Sequence, residues 1–260
     1  MAEHKTQATE EVPRWRGGQR VLDIRVDDVT LSEAMSTIVN AARVGTPCHI
    51  ITLNPEYVMR ARRDAELRAI IASAAIVTAD GAGIMQAARL ARMPLRARIT
   101  GNDLTDAVAE AGLPLFLLGA APGVAEAAAA VLTRRYPSAR IAGFWSGSAD
   151  ADDDAAARAR INASGARVVL VAYGMPKQDH WIDRNLPSLQ APVAIGVGGT
   201  FDYLAGRIPR APHWMRTRGL EWLYRLARQP SRFPRILRVW QFGAVALFSA
   251  RAERRRDGKT

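Results

Sequence analysis

The sequence predicts an α/β protein: a mainly parallel sheet flanked by helices, followed by a basic, amphipathic helical appendage. Three observations carry this. Short apolar runs alternate with stretches of helical periodicity from Val21 to Val197, the pattern of strands joined by helical crossovers. The later runs, LFLLG, VVLVAYG and VAIGVGG, are apolar without alternation, which suits central strands covered on both faces. Beyond Pro209 the composition shifts, and arginines interleave with Trp, Phe and Leu.

In chain order, strands are expected at Val21–Val26, His49–Leu53, Ile76–Ala79, Leu115–Leu118, Arg140–Phe144, Val168–Ala172 and Val193–Val197. Helical patterns lie between them at Leu31–Arg43, Ala65–Ser73, Gly83–Ala91, Asp103–Ala111, Gly123–Tyr136, Asp154–Ser164 and Lys177–Asn185. The sum is a Rossmann-like core over residues 20–209. Ala211–Arg228 then reads as one amphipathic helix, ended by Pro230, and about Phe233–Ala250 as a second. The expected organisation is a disordered tail (1–19), the α/β core (20–209), the appendage (210–250) and a short basic tail (251–260).

Composition narrows the classes. A chain of 260 residues with 48% hydrophobic residues holds one large domain, or one domain with an appendage. Its one cysteine, Cys48, excludes an internal disulfide framework and a multi-cysteine zinc site. The first nineteen residues lack an apolar segment and do not resemble a secretory signal. The longest apolar run, Phe242–Ala250, falls far short of the ~20 residues that span a bilayer. The net charge of +11 is localised. Residues up to Leu204 carry 22 Lys+Arg and 22 Asp+Glu, whereas Ala205–Thr260 carries 14 against 3. A neutral body with a basic end implies an anionic partner for that end: phospholipid, polyphosphate or nucleic acid.

Several strands run into glycine: Leu118 into Gly119–Gly123, Tyr173 into Gly174, and Val197 into Gly198-Gly199-Thr200. Ligands of open α/β sheets bind at the carboxyl ends of strands, although each loop alone is equally a tight strand-to-helix turn. No GxGxxG occurs, so a dinucleotide site is unsupported. The triplet Asp152-Asp153-Asp154 superficially offers an Asp-x-Asp metal pair. It lies in polar sequence before a helix and reads as a solvated helix start. His49, His180 and His213 lack metal-ligand spacing, and Cys48 reads as core. No cofactor is expected, and no metal.

Four segments carry a resemblance: Thr52-Leu53-Asn54-Pro55-Glu56; Ala79-Asp80-Gly81-Ala82-Gly83; Arg98-Ile99-Thr100-Gly101-Asn102-Asp103; and Gly174-Met175-Pro176-Lys177-Gln178 through Gly198-Gly199-Thr200-Phe201-Asp202, continuing into Arg210-Ala211-Pro212 and Gly219–Arg225. In order and spacing they resemble the WecG/TagA/CpsF family, glycosyltransferase family 26, over roughly Val21–Arg235. The resemblance implies inverting transfer of a sugar from a UDP-sugar donor to a polyprenyl-diphosphate-linked saccharide in bacterial cell-surface polymer synthesis. N-acetylmannosamine, its uronic acid and hexoses all stay open as the sugar.

Inverting transfer needs a base for the acceptor hydroxyl and positive charge on the departing diphosphate. Asp80, after an apolar strand, matches the family's catalytic aspartate; alternatively it caps the helix from Gly83. Arg98 matches the diphosphate arginine, and a forked, permanent cation suits that task; alternatively it is a solvated arginine, and Arg96 lies two residues away. Thr52 and Asn54 match pocket positions and share one side of a strand end, or serve as a strand-to-helix cap. Gln178 matches a pocket glutamine, or is an exposed first-turn residue. Asp202 is a candidate acceptor for ribose or uracil. The resemblance also implies that Arg225, Arg232 and Arg235 of the appendage help complete the site. Two departures, Ala79 where proline is common and Asp179-His180 where Glu-Lys is common, lie outside these residues.

Basic helices with Trp214, Trp222 and Trp240 suit an anionic membrane interface; the alternative is helices packed on the body with arginines in water. The expected place is the cytoplasmic face of the plasma membrane, held peripherally. Two competing functions are an inactive scaffold of the same fold and a nucleic-acid binder using the basic end. The body lacks a recognition motif for the latter, so no nucleic-acid partner is expected.

Overall fold

A computed structural model describes residues 18–207, 212, 214–215, 218, 221–228 and 233–257. It opens with a hairpin, β1 (Gly18–Val21) and β2 (Ile24–Asp27), paired antiparallel. The single strand expected over Val21–Val26 is thus two. Leu22 and Asp23, at φ 51° and 67°, form the left-handed pair that a two-residue hairpin turn requires, and aspartate tolerates that conformation. Gly18 and Gln19 belong to β1 rather than to a tail; the remainder of the expected tail, residues 1–17, lies outside the described residues.

The core follows as α1 (Leu31–Val44), β3 (Cys48–Leu53), α2 (Pro55–Ala61), α3 (Ala65–Ser73), β4 (Ile76–Ala79), α4 (Ala82–Leu90), α5 (Gly101–Glu110), β5 (Pro114–Gly119), α6 (Val124–Arg135), β6 (Arg140–Trp145), α7 (Asp154–Ser164), β7 (Val168–Ala172), α8 (Lys177–Asn185), β8 (Val193–Gly196) and α9 (Thr200–Leu204). The six strands β3–β8 form one wholly parallel sheet in the order β4-β3-β8-β7-β5-β6. The chain winds outward from β3 to β4, crosses to the other half for β5 and β6, and fills the middle last with β7 and β8.

Alternate side chains of each strand enter opposite layers, as the two-residue period demands. Ile50 joins a cluster with Ile38 of α1, Val108 of α5 and Leu132 of α6. Its neighbours Ile51 and Leu53 join Tyr57 and Val58 of α2, Leu67 and Ile70 of α3, and Ile84 of α4. Phe116, Val169 and Ala194 meet Ile161 of α7 and Trp181 and Ile182 of α8. Cys48 is fully buried, and burial pushes its thiol up to about 12, so it is a protonated core residue.

Two short helices were not legible as periodic runs. In α2, Pro55 takes the first helical position, where its missing N–H is no loss, and the Asn54 side chain accepts from the Tyr57 N–H at 2.9 Å. The other is the five-residue α9. The last residue of the polar triplet, which opens α7, is also less solvated than expected. Asp154 is buried and accepts from Arg184 Nε at 2.5 Å and from its Nη2 at 3.0 Å. Burial acts to raise the Asp154 pKa, but Arg184 and Asn185 outweigh it and hold the carboxyl below its usual range.

Of the appendage, α10 (Glu221–Arg228) and α11 (Phe233–Asp257) are described; the rest of the helix expected over Ala211–Arg228 lies largely outside the described residues, as does the end of the basic tail, 258–260. Helix α11 outruns its expected end at Ala250. It docks on the core: Phe242 is 2% exposed and, with Ala246, belongs to the cluster built on α2 and α4. Arg238 Nη1 donates to Glu56 Oε1 at 2.7 Å. Leu237, Trp240, Leu247 and Phe248 stay exposed, Trp240 and Phe248 at 66% and 69%.

The hairpin is tied to the sheet through Asp27. Its buried carboxylate accepts from Arg25 Nε (2.9 Å), Arg25 Nη2 (2.8 Å) and the Val77 N–H of β4 (2.8 Å). Desolvation nevertheless leaves its pKa raised. Asp27→Ala leaves Val77 without this acceptor and Arg25 without its carboxylate partner. Breaking such a pair costs about 3 kcal/mol or more, a drop in Tm of roughly 6–12 °C for a chain of this size. Calorimetry of the variant checks it; an unchanged Tm would show that the hairpin does not depend on this contact.

Candidate active site

The carboxyl ends of β3, β4, β7 and β8 open on a cavity of about 730 Å³. Thr52, Asn54, Asp80, Arg98, Gln178 and Asp202 all line it. Parallel pairing accounts for this: with every strand running the same way, residues just past each strand collect at one edge.

From β3, the Thr52 hydroxyl donates to the Gly196 carbonyl of β8 at 2.9 Å and is buried. Asn54 both caps α2 and lines the cavity, so capping does not remove it from the cavity wall. From β4, the Asp80 N–H donates to the Leu53 carbonyl at 2.8 Å, extending the β3–β4 ladder one residue past the strand. Gly81 then turns the chain at φ 112°, a conformation open to glycine, and α4 begins at Ala82 with Gly81 at the cap position and no side-chain cap. The cap position thus falls on Gly81, one residue after Asp80.

Arg98 and Arg96 separate clearly. Buried Ile99 donates its N–H to the Ala79 carbonyl at 2.9 Å and accepts from the Thr78 hydroxyl at 3.0 Å, which locks this segment beside β4. Arg98, one residue before, is exposed at the cavity and makes no ion pair with another described residue. Arg96 is bound elsewhere: its Nε and Nη2 donate to Asp28 Oδ2 (3.0 Å) and the Asp28 carbonyl (2.6 Å), and its guanidinium also holds Glu33 at 2.9 Å. Glu33 itself reaches back to the Thr30 N–H in a capping box on α1.

Gln178 is not the exposed first-turn residue that was one of its two expectations. It is 3% exposed, and its Oε1 accepts from the Gly198 N–H at 3.0 Å. This packing depends on Gly196, because a Cβ there would stand 2.5 Å from Gln178 Nε2 and 3.1 Å from Asp179 Oδ1. Asp202 lies in the first turn of α9. The appendage supplies Leu226 of α10, Val239 of α11 and Arg218 to the cavity wall. The side chains of Arg225 and Arg235, and all of Arg232, lie outside the described residues. Tyr57, Asn102, Tyr173 and Tyr203 also line the cavity and were not singled out from sequence; Asn102 adjoins Gly101 inside a quoted motif, which was a usable signal. Among the described residues, no group of three or more His, Cys, Asp or Glu side chains is placed to hold a metal ion.

A second cavity, of about 600 Å³, lies between the hairpin and α3. Its arginines are committed to structure: Arg20 to the Asp23 carbonyl, Arg25 to Asp27 and the Ala74 carbonyl, Arg68 to the Ala61 and Arg62 carbonyls.

A profile of the glycosyl transferase WecG/TagA/CpsF family matches residues 19–257. The chain belongs to this family. It is a glycosyltransferase, and the cavity at the strand ends holds the residues that the family motifs bring to it. The chain is 32% identical, over 78% of its own length and 80% of the relative's, to the N-acetylglucosaminyldiphosphoundecaprenol N-acetyl-beta-D-mannosaminyltransferase of Bacillus spizizenii (strain ATCC 23059 / NRRL B-14472 / W23).

The two arginines make opposite predictions. Arg98→Ala should leave Tm unchanged and sharply lower transferase activity. Arg96→Ala should lower Tm, through loss of Asp28 and Glu33, with activity retained in the folded fraction. Thermal melts beside a glycosyl-transfer assay separate them, and the reverse pattern would exclude Arg98 from the site's chemistry.

Proposed function

We propose that this chain transfers N-acetylmannosamine from its UDP-sugar to a polyprenyl-diphosphate-linked N-acetylglucosamine, with inversion at the anomeric carbon, in bacterial cell-surface polymer synthesis. The observation that carries it is the convergence of Asp80 and Arg98 on one cavity at the strand ends. The relative's name supplies the sugar and the lipid-linked acceptor.

Asp80 takes the proton from the acceptor hydroxyl as that oxygen bonds to the anomeric carbon. The bond from that carbon to the diphosphate breaks on the opposite face. UDP leaves with its new charge stabilised by Arg98, joined by Arg225, Arg232 and Arg235 of the appendage. Thr52, Asn54 and Gln178 hold sugar and phosphate oxygens, and Asp202 accepts from ribose or uracil. Guanidinium groups take the place of a divalent ion, so the reaction proceeds without metal. The same assay checks both points. Asp80→Asn should bind UDP normally and turn over ~10²–10⁴-fold more slowly, and wild-type activity should survive excess EDTA. Near-normal turnover in the variant removes Asp80 as the base; inhibition by EDTA that magnesium or manganese reverses removes the metal-free mechanism. Transfer of a uronic acid or hexose in a donor panel would change the sugar assignment alone.

The enzyme works peripherally at the cytoplasmic membrane face, where its acceptor is anchored. Two features support this. The last 56 residues hold the whole charge excess, and α11 exposes Leu237, Trp240, Leu247 and Phe248, whose intervals of three, seven and one residue keep them on one side of a helix. No helix among the described residues is long and apolar enough to cross a membrane. Basic residues near an anionic surface contribute about 1 kcal/mol each, and aromatic side chains add burial at the interface. Full-length protein should therefore sediment with anionic liposomes in a salt-sensitive way and bind neutral ones more weakly. Replacing Trp240 and Phe248 together by Ser should abolish that binding and leave UDP affinity intact. Equal sedimentation of the variant would remove α11 as the membrane contact, and binding of short DNA in place of liposomes would favour a nucleic-acid partner.

A further inference from the structure

Beneath the cavity, three polar side chains from three elements meet in the core. Asp179 of α8 is fully buried, Tyr57 of α2 is 1% exposed, and His49 of β3 is buried. His49 Nε2 lies 3.6 Å from Asp179 Oδ1. The Tyr57 hydroxyl faces the same carboxyl; burial first, and then that carboxylate, push its pKa well above the usual tyrosine range. Among the described residues, both Asp179 oxygens, His49 Nε2 and the Tyr57 hydroxyl are sealed from solvent with no hydrogen-bond partner.

A core built for stability alone would not hold this group. Desolvating a carboxylate is costly unless it is well paired, and a loosely satisfied buried polar cluster is less stable than apolar packing. Such clusters persist where something other than stability requires them. What the cluster touches indicates the requirement. Asp179 follows Gln178 in the first turn of α8, and both side chains crowd the space that a Cβ on Gly196 would fill. Gln178 accepts from Gly198, and Gly196 accepts from Thr52. The carboxyl thus sits where α2 and β3 meet the turn of α8 that presents Gln178 to the cavity.

We infer that Asp179 is a positioning residue: through Tyr57 and His49 it fixes the first turn of α8, and so holds Gln178 and the Gly196–Gly198 turn in place for the donor nucleotide. This rests on the cavity being a UDP-sugar site. A carboxylate can accept from both neighbours at once, whereas an amide offers one acceptor oxygen. Asp179→Asn therefore loosens the tie while relieving the buried charge.

The test measures Tm and UDP affinity of the full chain by calorimetry. Asp179→Asn should melt at or above the wild-type temperature and bind UDP about tenfold more weakly, equivalent to 1.4 kcal/mol. Tyr57→Phe should show a smaller loss of the same kind. In a Gln178→Ala background, Asp179→Asn should add no further loss, because the two act as one unit. Unchanged affinity in Asp179→Asn, a loss that only tracks a lower Tm, or additive losses with Gln178→Ala would each overturn the proposal. A wild-type protein that binds no UDP would overturn the sugar-nucleotide reading itself; binding by wild type and Asp179→Asn alike would overturn the role of Asp179 alone.

Discussion

The pairing of β3 with β8 is the contact on which the rest depends. Cys48, His49 and Ile50 lie beside Val193, Ala194 and Ile195, joining residues some 145 positions apart. Parallel strands need a crossover, and closing one this long precedes any gain from it. Once made, the pairing sets Thr52 against Gly196 and brings the motif after β3 to the glycine turn after β8. Asp80 comes with it, because its N–H is held by Leu53 of β3. Each motif is assembled locally, and this single pairing joins the β3–β4 half of the cavity to the β7–β8 half.

Gly196 is where that geometry is tightest. Three side chains, Thr52, Gln178 and Asp179, close on its backbone, and the space a Cβ would need is already occupied. An apolar residue there would continue the strand as well in composition, yet would push Gln178 off Gly198. The glycine belongs to the site's packing as much as to the strand.

Much of this was legible in the sequence. Ile76–Ala79, Val168–Ala172, Ala65–Ser73, Asp154–Ser164 and Lys177–Asn185 fall where periodicity placed them, because each is long or apolar enough for its own pattern to dominate. The hairpin was misread because Leu22 and Asp23 interrupt it without a glycine to mark the turn. The short α2 escaped because a seven-residue helix shows too little periodicity, although Asn54-Pro55 carried its cap and first turn. In the site, motif spacing picked the cavity-lining residues but left alternatives that only packing resolves. Motif position singles out Arg98 over Arg96, but only packing shows that Asp28 and Glu33, far away along the chain, claim Arg96. The burial of Asp179 has the same kind of origin: a polar residue in a helix's first turn is buried here only because β3 and α2 pack over it.

The appendage adds the last constraint. A helix that merely packs on a domain needs one apolar face. Helix α11 has two. Phe242 and Ala246 are inserted between α2 and α4, with Arg238 reaching Glu56 of the motif after β3, while Trp240 and Phe248 remain in solvent. Val239, between these faces, lines the cavity. The core-facing contacts fix where the outward apolar face lies relative to the strand ends, so any surface that buries Trp240 and Phe248 also sets its own distance from Asp80. Under the proposed function, in which the acceptor's lipid stays in the bilayer and Asp80 is the base, that geometry would let the base meet a hydroxyl presented at a fixed height above the interface. The same helix that carries the apolar contact closes one side of the cavity, so on this reading membrane docking and site completion are properties of a single element rather than two that must be coordinated.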